Sequence, residues 1–171
     1  MNNHQLNVYR NINRSVHEQI AVANVLYHDV RNNNSDHSSL KRLRDEAEDG
    51  NPWATLWLGE CYLKGITNNR DNNIEKGIKC LESLEDFPLA QFKLAQWYLE
   101  EEDHQDQKKG KKLLKRAAEG DLVDAHYLLG KHYISGEVFK QNDTKAKHHL
   151  KKAHDLGHLK AHKELMRFTN G

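Results

Sequence analysis

From Ser15 onward, apolar residues recur at helical spacing. In "SVHEQIAVANVLYHDV", Val16, Ile20, Ala23, Tyr27 and Val30 share one face, and Ser15 with Glu18 three residues later has the form of a capping box. A helix is expected over residues 15–31. "RNNNSDHS" then reads as a turn with Asp36 or Ser38 available as a cap, and a second helix carries Leu40, Leu43 and Ala47 up to "EDGNP". Residues 1–13 are polar, rich in Asn and without period, and are expected to form a flexible tail.

The pattern then repeats. "ATLWLGECYLKG" begins at Ala54, "AQFKLAQWYLEE" at Ala90, "AHYLLGKHYISGEV" at Ala125 and "AHKELMRF" at Ala161, at intervals of 35 or 36 residues. Each period holds two helical segments, A and B. Helix A supplies the alanine, then Leu58, Leu94 or Leu129, the small residue Gly59, Ala95 or Gly130, and then Tyr62, Tyr98 or Tyr133. Helix B reads "KGIKCLESL", "KGKKLLKRA" and "KAKHHLKKA", with a small residue after each opening lysine. Helices approach closely only where Cβ bulk is missing, so the small residues mark helix–helix contacts. The tyrosine is expected to fill the core with its ring while its hydroxyl reaches a polar edge.

The alanine-opened helix with L-G-x-x-Y and helix ends such as "KRAAEGD" resembles the Sel-like repeat, a relative of the tetratricopeptide repeat, over residues 38–168. Ala95 and Glu101 stand where the repeat from Ala90 should carry glycines, and the segment from Ala161 loses both the glycine and the tyrosine. The resemblance implies an all-α fold, a right-handed α-solenoid of antiparallel helix pairs. Residues 14–171 are expected to form one domain: the first helix over 15–31, repeats over about 38–160 and a capping helix over 159–169. It also implies a non-enzymatic scaffold or adaptor that binds another protein on the concave face of the A helices. An immunity or inhibitor protein with one dedicated partner is the more specific version, bacterial in style.

A second apolar stripe on helix A is the candidate site. With the opening alanine as position 1, positions 1, 5, 9 and 12 form the core stripe, and positions 3 and 10 point nearly opposite. Those positions hold Leu56 and Leu63, Phe92 and Leu99, and Tyr127 and Ile134, with Glu60, Gln96 and Lys131 beside them at position 7. Two readings stand. The stripe is internal packing between repeats, or it lines a groove suited to a peptide or helix from a partner.

Composition narrows the remaining options. The 30% charged and 37% apolar residues suit a helical protein, and no stretch has the roughly 20 apolar residues of a membrane span. The N-terminus lacks the apolar core of a secretory signal, so a cytoplasmic location is expected. The net charge of +1 conceals an asymmetry, with residues 104–171 carrying 15 Lys and Arg against 8 Asp and Glu. Opposite the apolar stripe of Leu113, Leu114 and Ala117, the lysines of "KKGKKLLKRAAEG" read as a solvated face rather than a nucleic-acid site. Neither a membrane nor a small-molecule substrate is expected as a partner.

The chemistry-bearing residues support the competing class, a metal-dependent regulator or hydrolase-type enzyme, only weakly. His154, His158 and His162, with His148 and His149, form the densest histidine cluster, and His158 and His162 lie one turn apart. Gly157 interrupts the helix, and no cysteine or carboxylate completes a set nearby, so no metal or cofactor is assigned. "SSLK" at Ser38 has the Ser-x-x-Lys spacing of penicillin-binding enzymes but lacks their Ser-Asp-Asn and Lys-Thr-Gly elements. Cys61 and Cys80 read as reduced, buried thiols.

Overall fold

In a computed structural model, residues 14–32, 37–67, 73–100 and 106–170 are described. The expected tail, Asp36 and Glu101 lie outside them. Among the described residues the chain forms nine helices and no strand. They are α1 (Val16–Asn32), α2 (His37–Glu48), α3 (Pro52–Leu63), α4 (Asn73–Glu82), α5 (Pro88–Glu100), α6 (Gln107–Glu119), α7 (Val123–Ser135), α8 (Asp143–Asp155) and α9 (Leu159–Asn170). The helices fall into two compact units, Met1–Glu85 and Asp86–Gly171.

The first unit joins the two leading helices to the first A and B helices. Its core gathers Ala23, Leu26, Tyr27 and Val30 of α1, Leu40 and Leu43 of α2, and Ala54, Leu58 and Cys61 of α3. The capping box forms: the Ser15 N–H donates to Glu18 Oε2 at 2.9 Å, and the Glu18 N–H donates to Ser15 Oγ at 3.3 Å. Tyr27 stacks on Trp57 with ring centroids 4.6 Å apart, and Trp57 Nε1 donates to Asn24 Oδ1 at 2.8 Å. A single buried side chain ties the three helices. Asn51, fully buried before Pro52, accepts from the N–H groups of Trp53 and Ala54 with Oδ1, while its Nδ2 donates to Gln19 O and Glu46 Oε2. Proline at the first helical position makes Asn51 the N-cap, since proline fixes the helical φ and lacks the N–H that a helix start cannot satisfy internally.

Within each repeat the A and B helices run antiparallel at close range. A Cβ added to Gly59 would lie 3.0 Å from Leu81, and one added to Gly77 would lie 2.8 Å from Leu63 and 2.9 Å from the Gly59 carbonyl oxygen. Contacts that move up α3 as they move down α4 define an antiparallel pair. In the second unit Gly110 of α6 meets Leu99 and Tyr98 of α5, and Gly130 of α7 meets Leu150 of α8. Two of the tyrosine hydroxyls reach polar partners on different helices: Tyr98 accepts from Lys109 Nζ of α6 at 2.8 Å, and Tyr62 accepts from Arg44 Nε of α2 at 3.2 Å.

The core of the second unit runs through Phe92 and Ala95 of α5, Leu114, Ala117 and Ala118 of α6, Ala125, Leu129 and Tyr133 of α7, and Ala146 of α8. Phe139, in the connection after α7, plugs into it. That connection leaves the helix through Gly136 at φ +77°, a left-handed conformation natural to glycine, and the Asn142 N–H then donates to Tyr133 O at 3.0 Å. α9 packs on α8 through the fully buried Ala161 and leaves Leu159 93% exposed.

Two substitutions test this packing. Gly130→Ala should lower stability by about 1–3 kcal/mol, because its Cβ would overlap the fully buried Leu150, and a thermal melt followed by circular dichroism reads the loss. Asn51→Ala should cost about 1–3 kcal/mol, since it removes the α3 cap and the links to α1 and α2 together. Unchanged melting for both would mean that neither contact holds the fold.

Candidate protein-interaction surface

The second stripe of helix A divides when its residues are placed. Leu56 is fully buried, Leu63 packs against Gly77, and Phe92 is part of the core of the second unit. Leu99 lies half-buried against Gly110, and Ile134 is half-buried beside the same core as Phe92. The contacts of Leu63 and Leu99 are with the B helix of their own repeat. Tyr127 is half-buried, with its ring stacked on His158 at 4.0 Å between centroids.

At position 7 the three side chains have different surroundings. Glu60 is buried and ion-paired at 2.5 Å with Lys64, one turn along. Its charge helps to raise the Tyr27 hydroxyl and the Cys61 thiol, although burial is the larger cause for both, and Cys61 is pushed up to about 12. Cys61 is therefore a neutral core side chain, and Cys80 is also shifted upward by burial. In the second unit Gln96 is half-buried and Lys131 exposed. Of the nine expected site residues, Lys131 is the exposed one in the second unit, with Gln96 and Tyr127 half-buried and Phe92 in the core.

The histidines organise differently from the sequence spacing. His158 sits just before α9 and caps it, its Nδ1 accepting from the Ala161 N–H at 3.2 Å while Nε2 lies 3.7 Å from Asp124. His162 has His154 as its ring neighbour, with centroids 4.8 Å apart. A third arrangement gave no period-based signal. His126 of α7 and His149 of α8 share a hydrogen bond between their Nδ1 atoms at 3.1 Å, and the His149 ring stacks on Tyr133. Its residues were visible as a histidine after an opening alanine and another on helix B, but their meeting depends on how α7 packs on α8. Among the described residues, no group of three or more His, Cys, Asp or Glu side chains is placed to hold a metal ion.

The repeat geometry agrees with the comparisons to known proteins. The Sel1 repeat model matches residues 54–84, 88–122 and 123–158. The chain belongs to the Sel1 repeat family. A crystal structure of a Sel1 repeat protein from Oxalobacter formigenes is similar with a TM-score of 0.60 and 27% identity, covering 75% of this chain and 97% of that one. The structure of c5321, described as a protective antigen present in uropathogenic Escherichia coli strains displaying an SLR fold, is similar with a TM-score of 0.65 and 18% identity. That match covers 94% of this chain and 35% of c5321, and it bears on the fold alone. No curated protein matches the chain in sequence. The Sel1 match places the first repeat in the first unit, and the second and third in the other. Among the described residues no helix is long and apolar enough to cross a membrane.

The histidine pair makes stability depend on pH. Burial, then the charges of His126, His148 and Lys145, pushes His149 down to about 4, and burial lowers His126 despite Asp121. The folded state therefore favours the neutral rings, and unfolding takes up protons at acid pH. Stability from the pair is fully present above about pH 6.5 and is lost as the pH falls toward 4. His149→Phe should flatten that decline by on the order of 2 kcal/mol, read from urea midpoints between pH 7.5 and 4. Parallel curves for the two proteins would remove His149 as the cause.

Proposed function

We propose that the chain binds a dedicated protein partner on the helix A surface of its repeats, with Gln96, Tyr127 and Lys131 as the accessible contacts. The observation that carries this reading is the run of three consecutive Sel1 repeats over residues 54–158, because Sel1 repeat proteins generally act as protein–protein interaction scaffolds. Each repeat presents the same helix A positions again, so a partner can be read along several turns. Phe92, Leu99 and Ile134 of the same helices pack in or against the second unit's core, while Leu56, Glu60 and Leu63 occupy the matching places in the first repeat. Tyr127 and Lys131 lie one turn apart on α7, and an aromatic ring beside a cation is a common composition for a binding surface.

The scaffold acts without an enzymatic step of its own, as an adaptor or as an inhibitor of immunity type. The bacterial origin of the similar Oxalobacter formigenes protein supports a bacterial setting. The free Cys61 and Cys80 suit a reducing cytoplasm. In the inhibitor role, the captured partner loses its activity in the complex.

Site-specific photocrosslinking tests the surface. A benzophenone side chain at Gln96 or Lys131 should trap the same protein partner in cells, and one at Glu75 of α4 should not. Tyr127→Ala should weaken that partner's affinity by about 1 kcal/mol or more, as loss of a central aromatic contact does. Lys131→Glu should act chiefly on the association rate and its salt dependence. Equal crosslinking at Glu75, or full affinity in Tyr127→Ala, would move the binding surface away from helix A.

A further inference from the structure

The basic face of the second unit is more organised than a solvated charge run. On α6, Lys108, Lys111, Lys112 and Lys115 follow the i, i+3, i+4, i+7 spacing of a single helix face. The first turn of α6 has no acidic residue. Like charges one turn apart repel, and cations near a helix N-terminus oppose its dipole, so this arrangement costs the helix stability.

The tertiary structure gathers these lysines with one from α8. Lys111 Nζ lies 5.7 Å and Lys115 Nζ 5.4 Å from the centre of the Phe139 ring, and Lys145 Nζ lies 5.5 Å from the centre of the Tyr133 ring. The two rings are themselves 5.0 Å apart and both buried, fixed in the core. Three ammonium groups from two helices are thereby held around one buried aromatic pair by cation–π attraction. Among the described residues none of the three is ion-paired to a carboxylate, and the polar contact of Lys111 is with the neutral Gln107 Oε1 at 3.4 Å. Other lysines of the same unit are paired: Lys151 with Asp155 at 2.7 Å and Lys152 with Asp121 at 3.2 Å.

We propose that Lys111, Lys115 and Lys145, with Lys108 and Lys112 beside them, form a docking surface for an acidic segment of a partner protein. Charge complementarity selects the occupant: carboxylates would supply the missing counter-charges. A nucleic acid fits less well. Phe139 and Tyr133 are buried and offer no face for bases to stack on, and Arg116, the guanidinium on α6, is directed to Asp86 at 3.8 Å. The inference rests on the chain being a protein-binding module, but it uses none of the helix A contacts, so crosslinking at Gln96 and Lys131 can fail without touching it.

The test is titration, at low salt, of a fluorescein-labelled peptide of about 15 residues, Glu- and Asp-rich with interspersed leucines, alongside a DNA duplex of about 20 base pairs. Saturable peptide binding is expected, weakened about tenfold or more in Lys111→Glu/Lys115→Glu/Lys145→Glu. The control Lys151→Glu/Lys160→Glu/Lys163→Glu changes the net charge equally and should keep most of the affinity. A Lys→Gln triple at the same three positions gives a smaller loss in the same direction and serves if charge reversal disturbs folding, as judged by circular dichroism. Absent peptide binding, or equal loss in the control, overturns the proposal as non-specific attraction. Tighter binding of the duplex overturns it in favour of nucleic acid. Self-association at the same salt that vanishes in the charge-reversed triple overturns it in favour of a second copy of this chain.

Discussion

Each repeat depends on the close approach of its A and B helices, made possible by residues without bulky side chains. At Gly59, Gly77, Gly110 and Gly130 a leucine of the facing helix fills the space that a Cβ would need. Glycine inside a helix is unfavourable relative to alanine by about 1 kcal/mol. The helices keep it because tight contact between pairs, and the leucine burial that accompanies it, is worth more than that local loss. Ala146, fully buried on α8, occupies the equivalent place in the third B helix with a methyl group.

Closeness on one side of an A helix changes what its other side can be. Once the B helix is drawn in, the remaining surfaces of the A helix meet other helices, and its apolar residues lose their amphipathic arrangement. α3 buries Ala54, Leu56, Leu58, Gly59, Glu60, Cys61 and Leu63, a run that covers every side of the cylinder. Glu60 is tolerated there through its ion pair with Lys64. The B helices keep the opposite character. α6 buries Gly110, Leu114, Ala117 and Ala118 along one stripe and exposes lysines on the other. Helix A of the first repeat is therefore buried on several sides, whereas helix B of the second is buried along one stripe and carries charge on the other.

Polar groups inside the structure follow the same logic of local completion. Asn51 meets backbone groups at the junction of α1, α2 and α3. His126 and His149 pair through their Nδ1 atoms where α7 packs on α8, while His126 Nε2 is buried without a hydrogen-bond partner among the described residues. At each, a partner inside the protein replaces part of the lost water, which is why such positions are sensitive to small changes in chemistry or, for the histidines, in pH.

The repeat, its helix boundaries and the contact residues were legible in the amino-acid sequence because a solenoid repeats local structure. Ala54, Ala90 and Ala125 announce the A helices, Ser15 with Glu18 announces α1, and the small residues mark where helices touch, all from spacings of one or a few turns. The two faces of helix A were visible as apolar stripes, but not their fates. A stripe at positions 3 and 10 looks the same in sequence whether a neighbouring helix or a partner covers it, and only the packing of the second unit placed Phe92 in its core while leaving Lys131 in solvent. The histidines show the same limit, since one-turn spacing pairs His158 with His162, whereas the turn into α9 uses His158 as a cap and brings His162 to His154. Likewise Lys145 joins Lys111 and Lys115 only because Phe139 folds back beside Tyr133. Short-range periodicity is written along the chain. Which distant side chains share a surface is decided by how close the helices can pack.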